Sequence, residues 1–444
     1  MSTTSAPVSR PALIRAFVAS LTGTALEWYD FAIYNVTAAL VFAQLFFPGV
    51  DPLTGTLSAF SVYAVGYLSR PLGGFVFGRL GDVLGRKRVL VITLLIAGIA
   101  TLLVGALPTY TAIGPLAGVL LVVLRFAQGV GLGGEWGGAV LLSSEYGDPR
   151  RRGFWSSAAQ VGPPAGNLMA SGVLAVLGAV LSDQQFLSWG WRIGFLLSAV
   201  LVLFGLWIRL KLEETPVFRQ ITQRGDQPNA PVREVLRTHR RALAAAVLSR
   251  VGPDVLYAMF TVFVVSYLTS QLGMPKSVGL TAVLLGSAVQ LVLMPLAGAL
   301  SDRINRRLVY AVATAGGALW GVAYFALADT RSVPLLTFGV VMGLAFHAFM
   351  YGPQAAFITE QFPSRVRATG SSVAYTLAGV IGGAPAPLLF TALYARFHHW
   401  WPMATYAAVC CVVTGVGLML GRDPAPEDGS GGPGQAASNT ASVA

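Results

Sequence analysis

Charge, cysteine and histidine are all scarce in this chain. Only 11% of its 444 residues are charged, where a soluble domain carries about 25%, so a water-soluble globule is excluded. The two cysteines, Cys410 and Cys411, are adjacent. Neighbours on a helix point about 100° apart, so no disulfide between them is expected. There are four histidines, and two of them are the pair His398 and His399 at the end of an apolar run. No nucleophile–base pair and no metal-ligand cluster is apparent, so the sequence argues for no enzyme, metal or cofactor chemistry. Stretches that alternate polar and apolar residues over ten positions are missing, which argues against a membrane β-barrel.

What is present is apolar length. Hydrophobic residues make up 55% of the chain and the mean hydropathy is +0.66. Runs such as 89–107 and 308–327 can cross about 30 Å of hydrocarbon as helices. In lipid each backbone must bond within its own segment, so helices are the default. The expectation is an all-α integral membrane protein with twelve spans between residues 18 and 421. The net charge of +11 is an orientation signal and not a nucleic-acid footprint. Of 30 Lys and Arg, 23 fall in the termini and the gaps after even-numbered spans, while Lys276, Arg331 and Arg396 lie on the other side. The remaining four (Arg70, Arg125, Arg192 and Arg250) lie in or at the ends of spans. This asymmetry predicts both termini in the cytoplasm of a cell with this protein in its inner membrane. No cleavable signal is expected, and the Gly/Ser/Ala/Pro-rich tail 422–444 is expected to be disordered.

A polar, basic, glycine-punctuated loop occurs twice. Gly78-Arg79-Leu80-Gly81-Asp82-Val83-Leu84-Gly85-Arg86-Lys87-Arg88 is followed 220 residues later by Gly298-Ala299-Leu300-Ser301-Asp302-Arg303-Ile304-Asn305-Arg306-Arg307. A second pattern, an acid with Arg at +5 and +7, also recurs: Glu145 with Arg150 and Arg152, then Glu360 with Arg365 and Arg367. Two motifs in the same order imply two six-helix halves with parallel topology and a substrate site between them near midplane. The expected boundaries are an N-terminal tail 1–17, bundles 18–210 and 242–421, a linker 211–241, solvated and partly helical on the membrane face, and the tail 422–444. Gly85 suits a left-handed turn, and Asn305 is the next best residue for it. Asp82 with Arg86, Lys87 and Arg88, and Asp302 with Arg306 and Arg307, read as salt-bridge latches. With Gly78, Glu145, Arg152, Glu360 and Arg367 they form a candidate cytoplasmic gate.

Seven ionisable residues fall well inside apolar segments: Glu27, Asp30, Arg70, Arg125, Glu135, Arg250 and Asp254. Each charge at mid-bilayer costs at least about 2.5–3.5 kcal/mol, so each needs a partner or a wet cavity. Glu27 and Asp30 share a helix face, as do Arg250 and Asp254. Asp30 ranks first as proton carrier, because a nearby second carboxylate favours holding a proton; Glu135, Glu27 and Asp254 follow. Arg125 ranks first as anchor for a carboxylate, because a guanidinium offers a bidentate fork; Arg70 and Arg250 follow. Gln128, Tyr34, Gln160, Asn167, Tyr257, Gln354 and Tyr375 are polar mid-span candidates for substrate contacts. His347 is open to two readings, a packed residue or a proton relay.

Several segments carry a family resemblance: Glu27-Trp28-Tyr29-Asp30-Phe31, Arg70-Pro71-x-Gly73, 78–88, Arg125-x-x-Gln128-Gly129, 133–138, Trp189-Gly190-Trp191-Arg192 and Glu213-Glu214-Thr215. Together they resemble the metabolite:proton symporter family of the major facilitator superfamily, over residues 10–422. The resemblance implies alternating access and proton-driven import of a small organic acid, by a protein working as a monomer with no cofactor. The family's members carry shikimate, α-ketoglutarate, citrate or proline/betaine. The family's span-1 Asp maps to Asp30, its span-2 Arg to Arg70, and its span-4 Arg and Glu to Arg125 and Glu135. Asn35 and Gly194 depart from the family pattern, which bears on substrate and not on class. A proton-driven exporter, a zwitterion permease and a non-transporting sensor remain as alternatives.

Overall fold

The computed structural model describes residues 10–211, 222–223 and 230–422. The Glu213-Glu214-Thr215 segment and the tail from 423 lie outside the described residues, as does the side chain of Arg86. Among the described residues the chain is helical, without strands. The first half comprises α1 (Arg10–Thr37, continued by Ala38–Phe42 and Ala43–Phe46), α2 (Pro52–Leu68 with Arg70–Val83), α3 (Arg86–Ala106), α4 (Leu116–Tyr146), α5 (Arg152–Gln160 with Gly162–Val180) and α6 (Trp191–Leu210). The second comprises α7 (Arg240–Ala258, continued by Met259–Phe263, Val264–Ser266 and Tyr267–Gln271), α8 (Lys276–Arg303), α9 (Arg306–Asp329), α10 (Val333–Glu360), α11 (Arg367–Ala378, Gly379–Gly383 and Ala386–Phe397) and α12 (Trp401–Leu420).

Ten of these twelve, α3 to α12, are individually long and apolar enough to cross a bilayer. The other two, α1 and α2, carry Glu27, Asp30 and Arg70 in mid-helix. In addition α2 breaks at Ser69, because Pro71 in the first turn of its second segment has no N–H to continue the ladder. Each half has its own apolar core, one around Phe31, Phe42, Trp191 and Phe195, the other around Phe260, Tyr310, Tyr324 and Phe390. Between the halves α2 packs on α11 and α5 packs on α8 and α10. The α2–α4 crossing is glycine-built: a Cβ on Gly133 would stand 2.0 Å from the Arg70 carbonyl, and one on Gly73 1.9 Å from that of Val130.

Three expectations change. Gly85 does open its turn at φ +99°, but Asn305 is extended, at φ −149°, and its side chain accepts from Leu308 N–H at 3.0 Å. The second copy of the loop thus replaces a left-handed glycine by an N-cap. The linker is not simply solvated: its helix Pro231–Thr238 buries Val235 against the second-half core, and Glu234 pairs with Arg365 at 2.6 Å. Arg209, one of the 23 basic residues assigned above to the termini and loops, is 3% exposed and turned into the first half, where it pairs with Glu135. Cys410 and Cys411 are both buried and free.

Candidate functional site

At the motif face each repeated Asp caps a helix of the opposite half. Asp82 accepts from the Thr369 backbone N–H at 3.1 Å and from its hydroxyl at 2.5 Å, at the start of α11. Asp302 accepts from Gly153 N–H at 2.8 Å and Phe154 N–H at 2.9 Å, at the start of α5. A carboxylate at a helix N-terminus meets unpaired N–H groups and the positive end of the dipole. Gly78 packs against Thr369. Arg306 joins Asp302 at 3.1 Å to Glu360 at 3.0 Å, and Arg152 and Arg367 also bear on Glu360. Lys87 donates to the Leu210 carbonyl at 2.8 Å, and Glu145 lies in the last turn of α4. Helix N-termini were not part of the sequence expectation for either Asp; the Arg at +5 and +7 marked the right helices without revealing which atoms meet.

At the opposite face two clefts open between the halves, of about 510 and 630 Å³, and both are lined by Gln44 and Lys276. Asp51, at the mouth of the first, caps α2; the hydrogen bonds from Thr54 and Leu53 hold its carboxyl below the usual carboxylate range.

Between gate and clefts lie small voids, three of them of about 10–20 Å³, each room for about one water. Trp28 lines all three. It stands in the span-1 motif but was not singled out from sequence, because nothing in one chain tells a cavity-facing aromatic from a core one. One void is walled by Glu27, Arg70, Trp136 and Tyr375. Arg70 is 3% exposed and makes no ion pair among the described residues; its guanidinium lies over Tyr67 at 4.1 Å and Phe31 at 4.4 Å, and its Nε has no hydrogen-bond partner among them. Glu27 is equally buried, and its Oε1 has no partner either. A second void is walled by Tyr67, Arg250, Asp254, Tyr257, His347 and Tyr351. Arg250 Nε donates to both oxygens of Asp254 at 2.9 Å, and its guanidinium lies 3.1 Å from the Tyr375 ring. The third void is lined by Asn35, Asn167 and Tyr257.

The other candidates are engaged elsewhere. Asp30 accepts from Ser198 Oγ at 2.5 Å and lines none of the three voids. Arg125 donates to Asn35 at 3.0 Å and to Gln128, and stacks on Phe31 and Tyr34; Gln128 in turn bonds the Asp30 carbonyl and Thr101. Tyr34 is buried against Arg125 with its hydroxyl unpartnered. Glu135 is paired with Arg209 and accepts from Thr93 at 3.3 Å. Gln160 bridges the halves, accepting from Trp136 Nε1 at 2.9 Å and donating to the Tyr351 carbonyl at 2.9 Å. Asn167 bridges them too, donating to Ser287 Oγ at 3.2 Å. Gln354 donates to the Tyr310 hydroxyl at 2.6 Å inside the second half. Tyr375 stacks on Trp136 at 4.2 Å, and its hydroxyl meets that of Tyr351 at 3.2 Å.

Two pseudo-symmetric six-helix bundles, with Glu27, Arg70, Arg250 and Asp254 on the walls of small voids at their junction, define a polytopic membrane transporter of small solutes. The chain belongs to the Major Facilitator Superfamily, whose pattern it matches over residues 12–387. It is 39% identical to the shikimate transporter of Escherichia coli (strain K12), over 92% of this chain and 94% of that one. It is 37% identical to the inner membrane metabolite transport protein YhjE of the same organism, over 91% and 93%. It is 31% identical to the proline/betaine transporter of Salmonella typhimurium (strain LT2), over 94% and 87%. Its fold is that of the proton:xylose symporter XylE bound to 6-bromo-6-deoxy-D-glucose, with a TM-score of 0.76 at 15% identity, over 92% of this chain and 95% of that one.

Proposed function

We propose that the chain imports a small organic acid of the shikimate kind together with protons, by alternating access, in the inner membrane with both termini cytoplasmic. The observation that carries this reading is Arg70, a buried guanidinium without an ion pair on the wall of the central cavity. Such a charge is costly in the bilayer interior, and a substrate carboxylate in its fork offsets that cost. Arg125 is the weaker anchor, because Asn35 and Gln128 already hold its fork and it lines no central void. A quaternary ammonium needs open aromatic faces. Here Arg70, Arg125 and Arg250 already cover Tyr67, Phe31, Tyr34 and Tyr375, which favours an anion over a betaine.

Glu27 is the proton site in this reading, ahead of Asp30. It shares a void with Arg70, and among the described residues its Oε1, like Arg70 Nε, has no hydrogen-bond partner. Asp30, Glu135 and Asp254 already hold donors from Ser198, Arg209 and Arg250. A proton on Glu27 leaves Arg70 to the substrate carboxylate, so one proton and one carboxylate cross together and the buried charge is unchanged. The Asp82 and Asp302 caps close the cytoplasmic side while the opposite clefts admit substrate, and the bundles 18–210 and 242–421 are the bodies that rock. The test is uptake of labelled shikimate into proteoliposomes under an inwardly directed proton gradient. Wild type should accumulate it, and Arg70→Lys, which keeps the charge and loses the fork, should need at least about tenfold more shikimate to reach the same rate. Accumulation by Arg70→Lys at the wild-type rate would overturn the assignment.

A further inference from the structure

His347 stands on the second-half wall of the centre, in a role the reading above leaves open. It is 1% exposed and lines the void with Arg250, Asp254 and Tyr257. Its Nδ1 lies 2.8 Å from Gln290 Nε2, and the same amide nitrogen donates to the Leu344 carbonyl at 3.0 Å. A carbonyl oxygen can only accept, so this end of Gln290 is its NH2 group, with one hydrogen for each neighbour. Nδ1 must then present its lone pair. The imidazole is therefore neutral and carries its hydrogen on Nε2. The rings of Tyr351, stacked at 5.0 Å, and Tyr257, at 5.1 Å, fix its plane. Nε2 itself has no hydrogen-bond partner among the described residues. The result is a directed donor on the wall of a void that it shares with the Arg250–Asp254 pair and with Tyr67, Tyr257 and Tyr351.

A hydroxyl fits both groups at once, since it can accept from His347 Nε2–H and donate to an Asp254 oxygen. An ammonium can only donate, and an apolar group can do neither. We propose that His347 is a specificity residue that binds a substrate hydroxyl, so that the transported acid is a hydroxylated one: carboxylate toward Arg70, hydroxyl past Trp28 toward His347. This rests on the reading of Arg70 as the carboxylate anchor. A site built around such a hydroxyl discriminates strongly against the analogue that lacks it, because its own buried polar groups are then left unpaired.

The experiment compares shikimate with cyclohex-1-ene-1-carboxylate, which has the ring and carboxylate without the hydroxyls. Binding is measured to the purified full chain in detergent, for wild type, His347→Phe and His347→Gln. Wild type should prefer shikimate. His347→Phe should weaken shikimate by about tenfold or more and leave the deoxy acid unchanged. His347→Gln keeps an N–H donor and should retain part of the preference. Equal weakening of both acids by a monodisperse His347→Phe, or unchanged shikimate binding, would overturn the proposal. Should the Phe variant not fold, His347→Gln decides alone: preference retained supports the proposal, and preference abolished overturns it. Failure of the carboxylate reading looks different, because wild type would then bind neither acid, and both inferences would fall together.

Discussion

The two halves share a plan but treat buried charge differently. The first holds six ionisable side chains buried between its helices: Glu27, Asp30, Arg70, Arg125, Glu135 and Arg209. Of these Glu27 and Arg70 face a shared void, with Glu27 Oε1 and Arg70 Nε lacking a hydrogen-bond partner among the described residues. The second holds two, Arg250 and Asp254, paired with each other through Arg250 Nε, with Arg250 Nη1 left without a hydrogen-bond partner among the described residues. Around that pair it offers neutral groups: His347, Gln290, Tyr257 and Tyr351. The difference assigns the labour. Unpaired charge, which can bind a proton or an anion, sits in the first half, and fixed hydrogen bonding, which can tell one solute from another, sits in the second. Mutations can break this division or sharpen it.

The largest effect is expected where pairing is complete. Glu135→Gln strands the buried Arg209, and removing one partner of a buried ion pair costs about 3–5 kcal/mol. The variant should lose most of its monodisperse yield or melt far lower in detergent, and exchanging both partners for apolar residues should recover much of that. If Glu135→Gln folds normally and loses only proton coupling, Glu135 is a carrier and the division fails. Next comes Arg70→Lys, which should raise the half-saturation for shikimate by about tenfold or more through loss of the bidentate fork while leaving the melting temperature near wild type.

Smaller effects are expected at the gate. Asp82→Asn and Asp302→Asn each remove a charged helix cap, worth about 0.5–2 kcal/mol. Each should slow uptake while equilibrium substrate binding persists, and Asp302→Asn also takes from Arg306 one of its two acids. Equal wild-type rates in both would remove the latch. The smallest effect separates the two loop copies: Asn305→Ala should cost about 1 kcal/mol, and Asn305→Gly only a few tenths, as at other N-caps, read as shifts in melting temperature.

Much of this architecture is legible in one sequence, because a bilayer imposes length, apolarity and charge asymmetry on every span. The duplicated loop gave away the two halves for the same reason: Asp82 and Asp302 are hard to overlook in a chain so poor in charge. Seven of the eight interior charges were visible, and the eighth, Arg209, was hidden by its place at the end of α6, where it looks like one more cytoplasmic arginine. Which charge meets which was not legible. Pairing across helices depends on rotation and crossing, and no spacing within one helix reports that Glu135 meets Arg209 or that Asp30 meets Ser198. Local pairing was the exception, since Arg250 and Asp254 lie one turn apart. Rank order failed to follow geometry for the same reason: Asp30 and Arg125 look as exposed to a cavity from sequence as Glu27 and Arg70 do.

The central claim is that Glu27 gives up its proton as Arg70 gives up the carboxylate, one for one. The most direct test is shikimate uptake into proteoliposomes with the membrane potential clamped by potassium and valinomycin, for wild type and Glu27→Gln. Wild-type uptake should respond to the pH gradient and be indifferent to the potential, because a proton and a monocarboxylate carry no net charge. Glu27→Gln should move the anion alone: no accumulation under a pH gradient, faster uptake with the interior positive, and slower uptake with it negative. Gradient-driven, potential-insensitive accumulation by Glu27→Gln would contradict the account.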